Sequence, residues 1–207
     1  MKGLYTSSFF LLFSLAASAQ ETSSVAFQIG GGFTQTVGNT GRNLDNGWNL
    51  QGGLGYNFNS HFGVLVDLGY HDMGINSATL SNIGVPGGDV KIFQATLDPI
   101  FHLTPKSRFD LYVTGGGGIY HRTQEFTAPT VANVTGFDPF FGFYPYQVGA
   151  NQVLASSTVN KPGIDVGAGV AFGTKWHGKI YAEARYNRIF LGNMHMDYIP
   201  VSFGFRW

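Results

Sequence analysis

The segment Phe62-Gly63-Val64-Leu65-Val66-Asp67-Leu68-Gly69-Tyr70-His71-Asp72 decides the fold class. Phe62, Val64, Val66, Leu68 and Tyr70 fall at every second position, with Asp67 and His71 between them. Successive side chains of a strand point to opposite faces, so this segment has one apolar, aromatic-rich face and one face that carries charge. The same alternation recurs along the chain and gives eight segments: 25–35, 47–58, 61–72, 90–103, 109–124, 162–173, 179–190 and 198–207. Beyond the first 19 residues no window carries a clear 3.6-residue period, so an all-β chain is expected.

The other segments have the same two faces. Trp48, Leu50, Leu54, Tyr56 and Phe58 line one face of the second, and Phe93, Ala95, Leu97, Phe101 and Leu103 one face of the fourth. The sixth has Ile164, Val166, Ala168, Val170 and Phe172, and the last has Ile199, Val201, Phe203, Phe205 and Trp207. The opposite faces hold Asn49, Gln51, Gln94, Thr96, Asp98, Asp110, Tyr112, Thr114, Asp165, Glu183, Arg185, Ser202 and Arg206. Alternation alone also fits a soluble sandwich or a lipocalin-like barrel. Composition separates the two. Charged residues are 12% of the chain, about half the usual share of roughly 25%. Glycine accounts for 30 of 207 residues, and it weakens a solvated strand but suits a crowded inner wall. Apolar outside, polar inside, with aromatics at strand ends, is the pattern of a membrane barrel, and each segment suits a tilted span of about 9–11 residues.

Twelve basic residues balance twelve acidic ones, which excludes a nucleic-acid binder working through a basic surface. Low charge with a mean hydropathy of +0.02 argues against disorder. There is no cysteine, so disulfides, thiolate zinc sites and thiol nucleophiles are excluded. The chain opens with Lys2, an apolar run from Phe9 to Leu15, and Ala17-Ser18-Ala19. These features predict a secretory signal peptide over residues 1–19 and a barrel domain over 20–207. Connections also sort. Those after the second, fourth and sixth segments are short, while those at 36–46, 73–89, 125–161 and 191–197 are longer. Short periplasmic turns and long extracellular loops alternate in outer-membrane barrels, which places both termini in the periplasm.

The chain ends Val201-Ser202-Phe203-Gly204-Phe205-Arg206-Trp207, apolar at alternate positions and aromatic at the last. This resembles the C-terminal assembly signal of Gram-negative outer-membrane proteins, with Trp207 where that family usually has Phe. With the signal peptide and eight segments, the chain resembles the small outer-membrane β-barrel family, OmpA-like and OmpX-like in type. The resemblance implies an eight-stranded antiparallel up-and-down transmembrane β-barrel in the bacterial outer membrane. It implies a monomer whose partners are membrane lipids, lipopolysaccharide and, during biogenesis, the barrel assembly machinery. The peptidoglycan-binding domain that follows the barrel in OmpA is not expected here.

Several motifs invite a chemical role. Gly115-Gly116-Gly117-Gly118 has no following Lys-Ser/Thr and lies within a strand, so small residues in a crowded wall are expected rather than a phosphate cradle. Asp67, Asp98, Asp110, Asp165 and Glu183 share the inner face with Arg122, Arg185 and Arg206. A polar plug is expected, with Glu183 opposite Arg206; a proton or ion path or a catalytic carboxylate pair is the alternative. Met194-His195-Met196-Asp197, placed in the last loop, offers thioether and imidazole to a soft metal such as Cu(I), but one His with two Met is a weak signal and an ordinary loop is expected; His61, His71, His102, His121 and His177 form no spaced ligand set. Six aromatics between Phe137 and Tyr146 lie in the longest loop, the first place to seek a recognition site. Barrel-type lipid A deacylases carry a His-Ser pair on the strand before last, and the matching stretch Tyr186-Asn187-Arg188-Ile189-Phe190 has neither residue. No catalytic, cofactor or metal residue is assigned. The expected role is structural or surface recognition through the outer loops. A narrow channel for small or hydrophobic solutes is the alternative, and a lipid A-modifying enzyme comes third.

Overall fold

A computed structural model describes residues 25–105, 107–173 and 178–207. The segment read as a signal peptide lies outside the described residues, as does His177. Eight antiparallel strands close into a barrel: β1 (Val25–Thr36), β2 (Leu44–Asn57), β3 (Phe62–Ile75), β4 (Gly87–His102), β5 (Phe109–Asp138), β6 (Gly142–Gly173), β7 (Lys179–Leu191) and β8 (Met194–Arg206). Each pairs with its sequence neighbour, and β1 pairs with β8 from Gln28↔Arg206 to Thr36↔Tyr198. Closure satisfies the backbone of every barrel strand without leaving an edge. One helix, α1 (Ser77–Ile83), lies between β3 and β4. Asn76 caps it by accepting from the Ala78 N–H, and Gly84 ends it at φ +70°.

The facing read from alternation holds. Leu50, Leu54, Val66, Leu97, Val166, Phe203 and Phe205 are about half exposed, while Asn49, Gln51, Asp67, Asp98, Glu183 and Ser202 are buried. Such a molecule puts its polar groups inside and its apolar groups outside, the arrangement a lipid solvent favours. Aromatics ring both rims of the apolar belt. Tyr56, Phe58, Phe62, Phe101, Phe109 and Trp207 lie at the end holding both described termini, and Phe33, Trp48, Tyr70 and Phe93 lie at the opposite end. Eight residue steps separate Phe62 from Tyr70. At about 3.4 Å per residue and a tilt near 40° that is roughly 20 Å of height, close to the apolar band of such barrels.

Two expectations about connections need correction. The stretch 125–161 is not a loop. β5 and β6 continue as a two-stranded ribbon that stays in register from Thr127↔Val153 to Asp138↔Gly142, leaving three residues at its tip. Likewise β8 begins at Met194, so Gly192-Asn193 alone joins it to β7, with Gly192 at φ +80°. Strand extension beyond the belt, rather than loop length, therefore distinguishes the two ends. The register of the last hairpin differs accordingly. Glu183 lies opposite Ser202, and Arg206 lies opposite Lys179. Even so, Arg206 Nη2 reaches to 3.6 Å from Glu183 Oε2.

The lumen is layered. Its half nearer the ribbon has an apolar cluster: Met73, Ile75, Val90, Ile92, Tyr120, Ile189, Met196 and Tyr198 pack with Leu44 of β2 and Leu80 of α1. The alternation predicts a small or polar lining throughout; here both faces of the strands are apolar instead.

Candidate functional site

Below the apolar half, polar side chains fill the lumen. Arg185 of β7 is 2% exposed and sits among four carboxylates from four strands. Its Nη1 donates to Asp98 Oδ2 at 2.5 Å and lies 3.2 Å from Asp67 Oδ2 and 3.7 Å from Asp165 Oδ1. Its Nε donates to Glu183 Oε1. Gln28 extends the network: its Nε2 donates to Asp67 Oδ1 at 3.3 Å, and its Oε1 accepts from Arg206 Nη2 at 2.6 Å. The Arg206 guanidinium also stacks over Tyr112 and Tyr181, at 4.4 and 5.1 Å from their ring centroids. Two of the charges grouped by sequence lie elsewhere. Arg122 sits nearer the ribbon, donating to Gln124, and Asp110 lies at the terminal mouth.

Asp110 Oδ2 there accepts from His102 Nδ1 at 2.8 Å and from Lys179 Nζ at 2.6 Å. These groups line a cavity of about 560 Å³ that also takes in Asn57, Leu65, Arg206 and Trp207. The packed charge layer and the apolar half stand between this cavity and the ribbon end. Gly116 and Gly118 face the same packed interior. A Cβ on either would fall onto a carbonyl oxygen of β4, that of Leu97 or Ala95, so the glycine run serves close strand approach.

His71 forms a hydroxyl–imidazole pair that sequence reasoning missed. Its Nδ1 lies 2.9 Å from Thr34 Oγ1 and its Nε2 3.1 Å from Gln94 Oε1. Both residues are buried in the lumen, Thr34 at 0% and His71 at 1% exposure. On β8 the Met-His-Met-Asp string splits between faces. Met196 is buried in the apolar lumen, while His195 Nε2 lies 3.3 Å from Asp197 Oδ2 on the other side. Asp197 also takes Arg188 Nε at 2.8 Å, and Arg188 Nη2 donates to the Tyr186 hydroxyl. The stretch compared with the deacylase pair thus carries Arg188, ion-paired to the buried Asp197 and next to an aromatic neighbour.

The ribbon is the most exposed feature. Past Gly87↔Thr127 on one side and Gly163↔Ile189 on the other, its outer edges have no strand partner among the described residues. Twelve residues from Thr127 to Asp138 carry it roughly 40 Å at about 3.4 Å per residue. Asp138 builds the tip: its Oδ1 accepts from the N–H of Phe140 at 2.8 Å and of Phe141 at 3.0 Å. Gly142 completes the turn at φ +77°, a conformation costly for a residue with a Cβ. Phe140 and Phe141 are left 91% and 87% exposed. Asp138 is the one charged residue between 126 and 160.

A family model described as outer membrane protein beta-barrel domain matches residues 7–207. Among solved structures, Neisserial surface protein A superposes with a TM-score of 0.57 at 17% identity, over 89% of this chain and 96% of its own. Ail, the attachment invasion locus protein of Yersinia pestis, in complex with the heparin analogue sucrose octasulfate, gives 0.50 at 18% identity, over 89% and 99%. At these identities the likeness is one of fold. No curated protein matches the chain in sequence.

Proposed function

The chain belongs to the outer-membrane protein β-barrel domain family, and from that membership we propose that it is a non-enzymatic surface-recognition protein of the bacterial outer membrane. Both termini lie in the periplasm, and the ribbon of β5 and β6 extends outside the cell. One observation carries this reading: six aromatics from Phe137 to Tyr146, all exposed, are mounted on a hydrogen-bonded ribbon beyond a barrel whose lumen is packed. The belt contacts membrane lipids and lipopolysaccharide, the last strand engages the barrel assembly machinery, and the barrel works as a monomer. A polyanion such as the heparin analogue held by Ail is a poor partner for this ribbon, because no Lys or Arg occurs between residues 126 and 160. The 560 Å³ cavity favours the channel reading only if it connects through the lumen.

Cells carrying the chain are compared with cells carrying a variant in which a two-residue turn replaces residues 128–151. Attachment to cultured-cell monolayers and uptake of small solutes are measured. The proposal predicts reduced attachment with unchanged uptake. Unchanged attachment with altered uptake would overturn it in favour of the channel.

A further inference from the structure

We propose that the ribbon tip inserts into the outer leaflet of an apposed lipid bilayer, so that the surface recognised is lipid. The inference rests on the recognition reading above and names its partner. Four phenylalanines make up the tip. Phe140 and Phe141 are outermost, and Phe137 and Phe143 form the cross-strand pair next to the closing Asp138↔Gly142 pair, with ring centroids 5.1 Å apart and exposures of 65% and 77%. They are exposed on all sides of a convex turn. A groove in a protein would cover one side of such a wedge, whereas a lipid leaflet surrounds it. Oδ1 of Asp138, the only charged side chain there, accepts from the Phe140 and Phe141 N–H groups, so the turn enters lipid with those donors already paired.

The order of residues down the ribbon matches the order of layers in a leaflet. Phenylalanine comes first, then Tyr144 and Tyr146, whose rings lie across Gly136, where a Cβ would come within 2.9 Å of both. Tyrosine, with an apolar body and a polar tip, belongs at the headgroup level. Below, the ribbon is mostly small and polar, with Gln147, Asn151, Gln152 and Thr158, and its large exposed apolar residues are the aliphatic Val131, Val153 and Leu154 rather than aromatics. The backbone sets the depth. Below the turn the two-stranded ribbon presents free strand edges on both sides, and hydrocarbon does not tolerate a long run of them. Insertion therefore stops once the phenylalanine rings are immersed, a shallow wedge of about 5–10 Å. The attachment is hydrophobic and independent of lipid charge. Glycan recognition fits less well, because Asp138 is the single hydrogen-bonding side chain beside the outermost rings and its Oδ1 is already taken by the turn.

The test uses the full chain in immobilised nanodiscs, with protein-free fluorescent phosphatidylcholine vesicles as the probe. The proposal predicts vesicle capture above that of empty nanodiscs, unchanged at about 0.5 M NaCl, where surface charge is screened. Phe140→Ser with Phe141→Ser should weaken capture about a hundredfold, since each buried phenylalanine is worth a factor of roughly ten or more. A Phe140→Trp reporter should shift its emission to the blue on adding vesicles. A blue shift before vesicles are added would place the tip in its own bilayer and overturn the proposal. So would pairing between nanodiscs without vesicle capture, which signals a second copy, or capture confined to vesicles bearing glycolipid. If removing residues 128–151 abolishes cell attachment while the serine variants still capture vesicles normally, the lipid partner falls and the recognition reading stands.

Discussion

Arg185 of β7 and Asp98 of β4 join across the barrel lumen, Nη1 to Oδ2 at 2.5 Å, between strands that are not neighbours in the sheet. The contact spans the interior rather than the wall, so the centre of the barrel is held by charge as well as by backbone pairing. Removing Arg185 leaves Asp67, Asp98, Asp165 and Glu183 without their shared cation. Arg185→Met should cost about 3–5 kcal/mol, the penalty for stranding buried charge. Lys91→Met, which removes a half-exposed partner of Asp89 and Glu125, should cost about 0–1 kcal/mol. Urea unfolding in lipid vesicles measures both; equal values would mean that water reaches the centre.

The outward belt predicts a dependence on depth. Val66→Arg places a cation on the belt near mid-height and should cost about 2–4 kcal/mol, whereas Trp48→Arg at the rim, opposite Asp72, should cost about 0–1 kcal/mol. The same unfolding assay reads the difference. A larger penalty at Trp48 would put the belt at the wrong height.

Close strand approach explains the glycine run. Gly118→Ala drives a Cβ into the Ala95 carbonyl and should cost about 1–3 kcal/mol of overpacking. Gly52→Ala meets nothing nearer than Gln28 O at 3.8 Å and should be close to neutral. Equal stability of the two variants would contradict the packing described.

Much of this architecture was legible because polar and apolar residues differ sharply at adjacent positions, as with Val66 and Asp67. The facing is unreadable where they do not: Ile189 lies in the lumen and Phe190 outside, yet both are large and apolar. That is why the apolar half of the lumen escaped the sequence pattern. The register of the last hairpin depends on its turn. Placing the turn two residues late, near Met194 rather than at Gly192-Asn193, moves every pair by four, which is the offset between the expected Glu183–Arg206 pairing and the observed Glu183–Ser202. The ribbon was hidden by composition: Thr, Ser, Asn and Ala on both faces leave no alternation, although they pair as regularly as the belt residues. Its aromatic tip, Phe137 to Tyr146, stood out from sequence, while Asp138 as the builder of its turn emerges only from the geometry.

The last residues should matter for assembly. The Trp207 N–H donates to Phe27 O at 2.9 Å and the Phe27 N–H to Trp207 O at 3.0 Å, closing the seam between β1 and β8. Truncation of residues 205–207 should leave unassembled chain in the periplasm, scored by fractionation and by heat-modifiable migration on gels. Normal amounts of folded protein in the outer membrane would count against the C-terminal assembly signal.

The central claim is that the ribbon lies outside the cell, beyond a barrel set in the outer membrane, and the absence of cysteine allows it to be tested with single-thiol variants. Phe141→Cys at the ribbon tip and Ser60→Cys at the opposite end of the barrel are treated with a membrane-impermeant maleimide, first on intact cells and then after the outer membrane is opened. The account predicts that the Phe141→Cys variant is labelled on intact cells and the Ser60→Cys variant only after opening. Labelling of the Ser60→Cys variant on intact cells, with protection of the Phe141→Cys variant until opening, would contradict it.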